Sequence, residues 1–193
     1  MAHSLASKPQ LTTPATSRSN APGFDSPEVR QAGVDLAACF RLAARPGRQE
    51  DICNHFSAMV PGYGDLFVVD PYGSALCKAT ASSLLICDYQ GNGIEGERIA
   101  AAIGGADIVF MKHHGVMAVG KTIAEAWDDL YYLERACEVQ LLAMSTGRAI
   151  IPVQAQIAEP ACQQMRHGDA ESAALHLNSA KRQLDRAEPD YRN

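Results

Sequence analysis

The chain has 193 residues, 47% of them hydrophobic, enough for one compact core and too few for two independent domains of ordinary size. A net charge of -5, with no basic run longer than a pair, leaves no electrostatic footprint for nucleic acid or an anionic membrane surface. No apolar stretch approaches the roughly 20 residues of a membrane-spanning helix, so the chain reads as soluble.

Six cysteines, at positions 39, 53, 77, 87, 137 and 162, form no C-x-x-C pair. Most sit in apolar segments and read as buried, reduced thiols of a cytoplasmic protein rather than as a disulfide framework or zinc ribbon.

Residues 1–25 are rich in Ser, Thr, Pro and Ala and read as a disordered N-terminal tail. A helix is predicted from Pro27, capped by Ser26, with Val29, Ala32, Leu36, Phe40 and Ala43 at helical spacing and a stop before Pro46-Gly47. From Ile52 to Asn92, short apolar segments alternate with Pro61-Gly62, Pro71-Tyr72-Gly73 and Gly91-Asn92-Gly93, the pattern of a strand meander. GERIAAAI suggests a brief helix, and DIVFMK and HHGVMAVG suggest two further strands.

Thr122 with Glu125 three residues on forms a capping-box signature ahead of the longest helical pattern, which Gly147 would end. Its apolar positions, from Ile123 and Trp127 to Leu141 and Met144, are expected to cover one face of the sheet. IIPV reads as a last short strand, and a C-terminal amphipathic helix is expected behind Asp169. The expected organisation is a tail, 1–25, a domain, 26–153, and a C-terminal helical segment, 154–193.

Histidines fall at 3, 55, 113, 114, 167 and 176, with no H-x-H or H-x-x-x-H pair to direct two imidazoles at one ion. Neighbouring side chains of an extended segment face opposite ways, so His113-His114 supplies one metal ligand at most. His55 reads as a structural histidine able to approach the same region, whereas His3, His167 and His176 carry no evident chemistry. Ser82-Ser83 reads as a turn cap, and Asp128-Asp129 and Glu134-Arg135 as the solvated face of a helix.

Taken together, EDICNHFSAMVPG, LFVVDPYG, TASSLLICDYQGN, MKHHGVMAVGKTIAEAWDDLYYLERACEVQ and AMSTGR resemble the class II aldolase/adducin family over about residues 28–153. The resemblance implies an α/β fold, an α/β/α layered domain around a mainly antiparallel sheet. It also implies zinc-dependent lyase or epimerase chemistry on small hydroxy-carbonyl, sugar-phosphate-like substrates, in which the ion stabilises developing oxyanion charge.

By that resemblance His114 is a metal ligand, and Asn54 and Gly73 are substrate contacts. The family's segment carrying the acid/base glutamate and H-T-H or a relative of it has no counterpart, because Glu95-Gly96 runs straight into Glu97-Arg98-Ile99. Two metal ligands and the general acid/base are missing with it, and neither Glu95 nor Glu97 has the spacing to replace them. The catalytic residues are therefore unassigned, and stable zinc binding is not expected. The expected partners are a small-molecule substrate if the chain is active, and either identical copies or full-length relatives in a mixed oligomer. An adducin-like, non-catalytic oligomerising module is the alternative.

Overall fold

The computed structural model describes residues 26–45, 55–71, 73–88, 103–112 and 115–193. Helix α1, Pro27–Ala44, starts as its sequence predicts. Ser26 Oγ accepts from the Val29 amide at 3.2 Å, and Pro27, which has no amide hydrogen to satisfy, takes the first helical position. Its Val29, Leu36 and Phe40 side chains are buried against Val60, Val68, Leu76 and Leu84, with Leu184 and Tyr191 closing the same core. Each large side chain removed from water there contributes about 1.5–3 kcal/mol.

Strands β1, Ser57–Met59, β2, Leu66–Val69, and β3, Leu85–Asp88, form an antiparallel three-stranded sheet in that order. Its register pairs Ser57 with Val69 and Val68 with Ile86. Alternation along β2 buries Leu66 and Val68. Strands β4, Ile108–Met111, and β5, Gly115–Ala118, make a separate two-stranded antiparallel sheet. The brief helix expected at GERIAAAI falls almost wholly outside the described residues.

Helix α2, Ile123–Ser145, opens under Thr122, whose Oγ1 accepts from the Glu125 amide at 3.1 Å and donates to the Glu125 carboxylate at 2.8 Å. The carboxylate thus meets the hydroxyl rather than the Thr122 amide of a full capping box. The helix ends where Gly147 takes φ +68, a left-handed turn that glycine adopts without steric penalty.

Only the first turns of α2 are covered. Trp127 packs with Cys39, Leu177 and Ala180, whereas Val139, Leu141, Leu142 and Met144 are exposed. The expected sheet-covering face is therefore corrected: α2 packs on the C-terminal helix and on α1, touching the strands at β5.

Two further expectations change. IIPV is not a strand, and Ile151 is 91% exposed. Residues Ala155–Arg166 form a helix, α3, that runs through Pro160 and leaves Ile157 and Met165 exposed. Helix α4, Asp169–Ala187, is the expected C-terminal helix, and it buries Ala173, Leu177, Ala180 and Leu184. The thiols divide as well: Cys39 is buried, and burial pushes its pKa up, but Cys77, Cys137 and Cys162 are exposed, against the expectation of buried cysteines.

Candidate functional site

Of the residues expected to bind substrate or metal, Gly73 lies within the described structure; Asn54 and His114, with His113, Glu95 and Glu97, lie outside the described residues. Gly73 follows β2 in a turn closed by the Ser74 amide donating to the Pro71 carbonyl at 3.1 Å. Its φ of +88 at the third turn position is the geometry a type II turn reserves for glycine.

His55 lies two residues ahead of β1. Because Ser57 pairs with Val69, the strands bring His55 level with the end of β2, and its Nδ1 lies 3.1 Å from Asp70 Oδ1. The Asp70 side chain is 4% exposed and the His55 ring 46%. A carboxylate accepts and does not donate, so the imidazole proton belongs on Nδ1, and Nε2 is the nitrogen of the exposed ring left for other partners. A strand-borne structural histidine was the expectation; the buried carboxylate holding it could not be inferred from the local pattern.

Ser82 and Ser83 do cap a turn. The Thr80 amide donates to Ser83 Oγ at 2.9 Å, Ser83 Oγ donates to the Thr80 carbonyl at 2.8 Å, and the Ser82 amide donates to the Asn193 carbonyl at 2.6 Å. Ser82 itself is exposed, with its hydroxyl 3.3 Å from Thr80 Oγ1.

The second histidine centre was overlooked in the sequence. His176 on α4 lies 2.5 Å from Asp128 Oδ1 and within ring contact of Trp127, Tyr131 and Tyr132 at 4.6, 4.7 and 5.6 Å. Asp128 is buried, which corrects its reading as part of a solvated face. Its neighbour Asp129 has a raised pKa, first from burial and then from the like charges of Asp169, Asp107 and Asp128. The aromatic run W-x-x-x-Y-Y was the available signal, since it places rings on one helical face with an aspartate between them. His167 caps the C-terminal end of α3.

A shallow depression of about 520 Å³ opens along α4, lined in part by Gln31, Asn178, Lys181, Arg182 and Arg192. Lys181 is paired there with Asp35 and Arg192 with Asp185, and no expected site residue lines it.

The family model of the class II aldolase and adducin N-terminal domain matches residues 34–98 and 93–141. The chain belongs to this family. A Caulobacter vibrioides protein named for aldolase class 2 is 27% identical over 235 aligned positions, covering 83% of this chain and 91% of the relative. An aldolase II superfamily protein from Pseudomonas syringae superposes with a TM-score of 0.76 at 24% identity, over 87% of this chain and 97% of that one. L-fuculose 1-phosphate aldolase from Glaciozyma antarctica PI12 gives the same TM-score at 18% identity, over 90% and 97% of the two chains. These neighbours establish a class II aldolase-like fold.

Class II aldolases are generally zinc-dependent, commonly oligomeric, and act on small molecules. A catalytic zinc site needs about three converging protein ligands. Among the described residues no three His, Cys, Asp or Glu side chains converge, and His55 and His176 each face an aspartate on separate elements. No helix among the described residues is long and apolar enough to cross a membrane.

Proposed function

We propose that this chain is a shortened class II aldolase/adducin-family protein that keeps the substrate-facing end of the sheet, with Asn54 and Gly73 as contacts, but lacks the metal-holding set. It is therefore impaired as a lyase or epimerase. The ligand class is a small hydroxy-carbonyl compound of the sugar-phosphate type, for which L-fuculose 1-phosphate, named with one structural neighbour, is a suitable probe.

The observation that carries this reading is the way the relatives align. The two family-model matches overlap at 93–98, inside GIEGER. In the Caulobacter alignment roughly 75 positions are occupied by the relative alone, since 83% of 193 residues are spread over 235 positions. A loss of that size where Glu95-Gly96 meets Glu97 removes the segment expected to hold two ligands and the acid/base carboxylate. His114 is then a lone ligand, and one imidazole is too few for a zinc site.

The test is zinc content per protomer of the purified, folded chain, measured alongside His114→Ala. The expected result is well below one zinc per chain in both proteins. Near one zinc per chain that disappears with His114→Ala would overturn the reading.

A non-catalytic, adducin-like oligomerising role is the second reading. It is favoured by the exposed apolar positions Val139, Leu142, Met144, Ile157 and Met165 on α2 and α3, an arrangement that marks association surfaces. Sedimentation velocity at two concentrations tests it, and a monomer at both would exclude self-association.

A further inference from the structure

Helix α3 carries an apolar stripe without cover among the described residues. Ile157, Ala158, Ala161, Cys162 and Met165 recur at three- and four-residue steps, which puts them on one side of the helix, while Gln156, Glu159, Gln163 and Arg166 fill the other. Ile157 is 61% and Met165 77% exposed, and every residue from 134 to 172 is exposed, so the rest of the described chain does not bury the stripe. A short helix of this pattern is marginal in water unless its apolar side lies on a core.

The sheet of β1, β2 and β3 has a face to match. Ala58, Val68 and Ile86 pair across it and pack on the core beneath α1. Side chains alternate along a strand, so Val69, Leu85 and Cys87 lie on the opposite face, where Leu85 is 49% exposed and Val69 and Cys87 are half-buried. That face is apolar, and a layered α/β fold covers both faces of its sheet with helices.

The two surfaces agree in size. Four-residue strands run about 13 Å and three of them span about 10 Å, the footprint of one helix about 10 Å wide. With 12 residues, α3 is about 18 Å long and crosses that face completely. The chain thus holds a helix that needs a sheet and a sheet face that needs a helix, and both remain exposed within one copy. A second copy supplies the complement of each at once and closes a two-fold dimer with two identical junctions. Each copy then contributes twice, as helix and as sheet, towards the roughly 800 Å² that a stable interface takes from each partner.

We infer that α3 of one copy packs its Ile157 to Met165 stripe on the outer face of the β1–β2–β3 sheet of a second copy, and reciprocally. The inference rests on the oligomerising reading and adds which two surfaces meet.

The experiment is sedimentation velocity of the full chain, of Ile157→Asp, of Leu85→Lys, and of the two variants mixed in equal amounts, with melting temperatures as the control for folding. Both positions are exposed, so each variant should fold. The expected result is a wild-type dimer, dimerisation at least about tenfold weaker in each variant alone, and dimers restored in the mixture. In a mixed dimer one junction is wild type on both sides, and the other sets the introduced carboxylate against the introduced ammonium.

A wild-type monomer would overturn both the inference and the oligomerising reading. A wild-type dimer that persists in either variant, or a mixture that stays monomeric, would overturn the inference and leave that reading intact. If a variant does not fold, oxidative cross-linking of the wild type decides, with isotopically distinct copies mixed and the linked peptides identified by mass spectrometry. A Cys162–Cys87 link between copies supports the junction, and a Cys162–Cys162 link or no link overturns it.

Discussion

The two ends of this molecule are finished differently. At one end residues 184–193 strap across α1 and the turns at 76–83, and Phe40, Leu184 and Tyr191 are wholly buried. The guanidinium of Arg41, itself buried, binds the Ala79 carbonyl at 2.8 Å, Glu188 at 3.2 Å and Asp190 at 2.7 Å, while Arg45 takes the other Glu188 oxygen. At the other end, the later turns of α2, the connection at 148–154 and α3 leave leucine, valine, isoleucine and methionine side chains in solvent. The first end has its polar and apolar groups matched within one chain. The second has apolar groups without cover among the described residues, in a family whose members commonly assemble.

The contrast can be broken most severely at Arg41. Arg41→Met should be strongly destabilising, because it leaves the buried Ala79 carbonyl without its donor and removes the cation that Glu188 and Asp190 share. Urea unfolding measures this loss. The same experiment has a pH signature. Burial would push the Glu188 carboxyl up, but hydrogen bonds from Arg45 and Arg41 hold it below its usual range; Asp190 is held low chiefly by Arg41. Their folded pKa values lie below the unfolded ones, so the stability they contribute is complete above the ordinary carboxylate range. It is lost as pH falls through the folded values. Arg41→Met should flatten that acid limb, and an unchanged limb would remove the clamp from the account.

Leu184→Ala tests the apolar half of the same end. Leu184 is fully buried among α1 and Tyr191, so truncation should destabilise by about 2–5 kcal/mol through lost transfer energy and the cavity left behind. Leu142→Ser, on the open face, should change monomer stability by less than about 0.5 kcal/mol. A large loss at Leu142 that grows with protein concentration would show instead that another copy covers this face.

The smallest expected effect concerns Asp129. Its raised pKa means that the folded state binds the proton more tightly than the unfolded chain, a contribution that favours folding at low pH and is lost as pH rises through the raised value. Asp129→Asn should therefore raise the melting temperature slightly at neutral pH, by about 1–3 °C, and have less effect in acid.

Much of the backbone plan was legible in local chemistry. Ser26 and Thr122 start helices because side-chain oxygens satisfy amides that a helix leaves free, and Gly147 ends one because it accepts a left-handed turn. The meander around β1, β2 and β3 follows from turn residues between short apolar segments. The family resemblance was equally local, carried by ordered motifs. What misled was periodicity without a partner: an apolar stripe announces burial, and the later turns of α2 have none among the described residues.

By itself, then, the sequence determined where α1, α2 and α4 begin and where α2 ends, which family the chain belongs to, and that GIEG runs directly into ERIA. These depend on residues a few positions apart, whose interactions form wherever the chain goes. The tertiary structure decided which polar groups meet. Asp70 joins His55 across 15 residues, Asp128 joins His176 across 48, and Arg41 reaches Glu188 across 147. No local pattern encodes such pairs, because the packing of α1, α2, α4 and the sheet removes those aspartates and that arginine from water and thereby obliges each to find a partner.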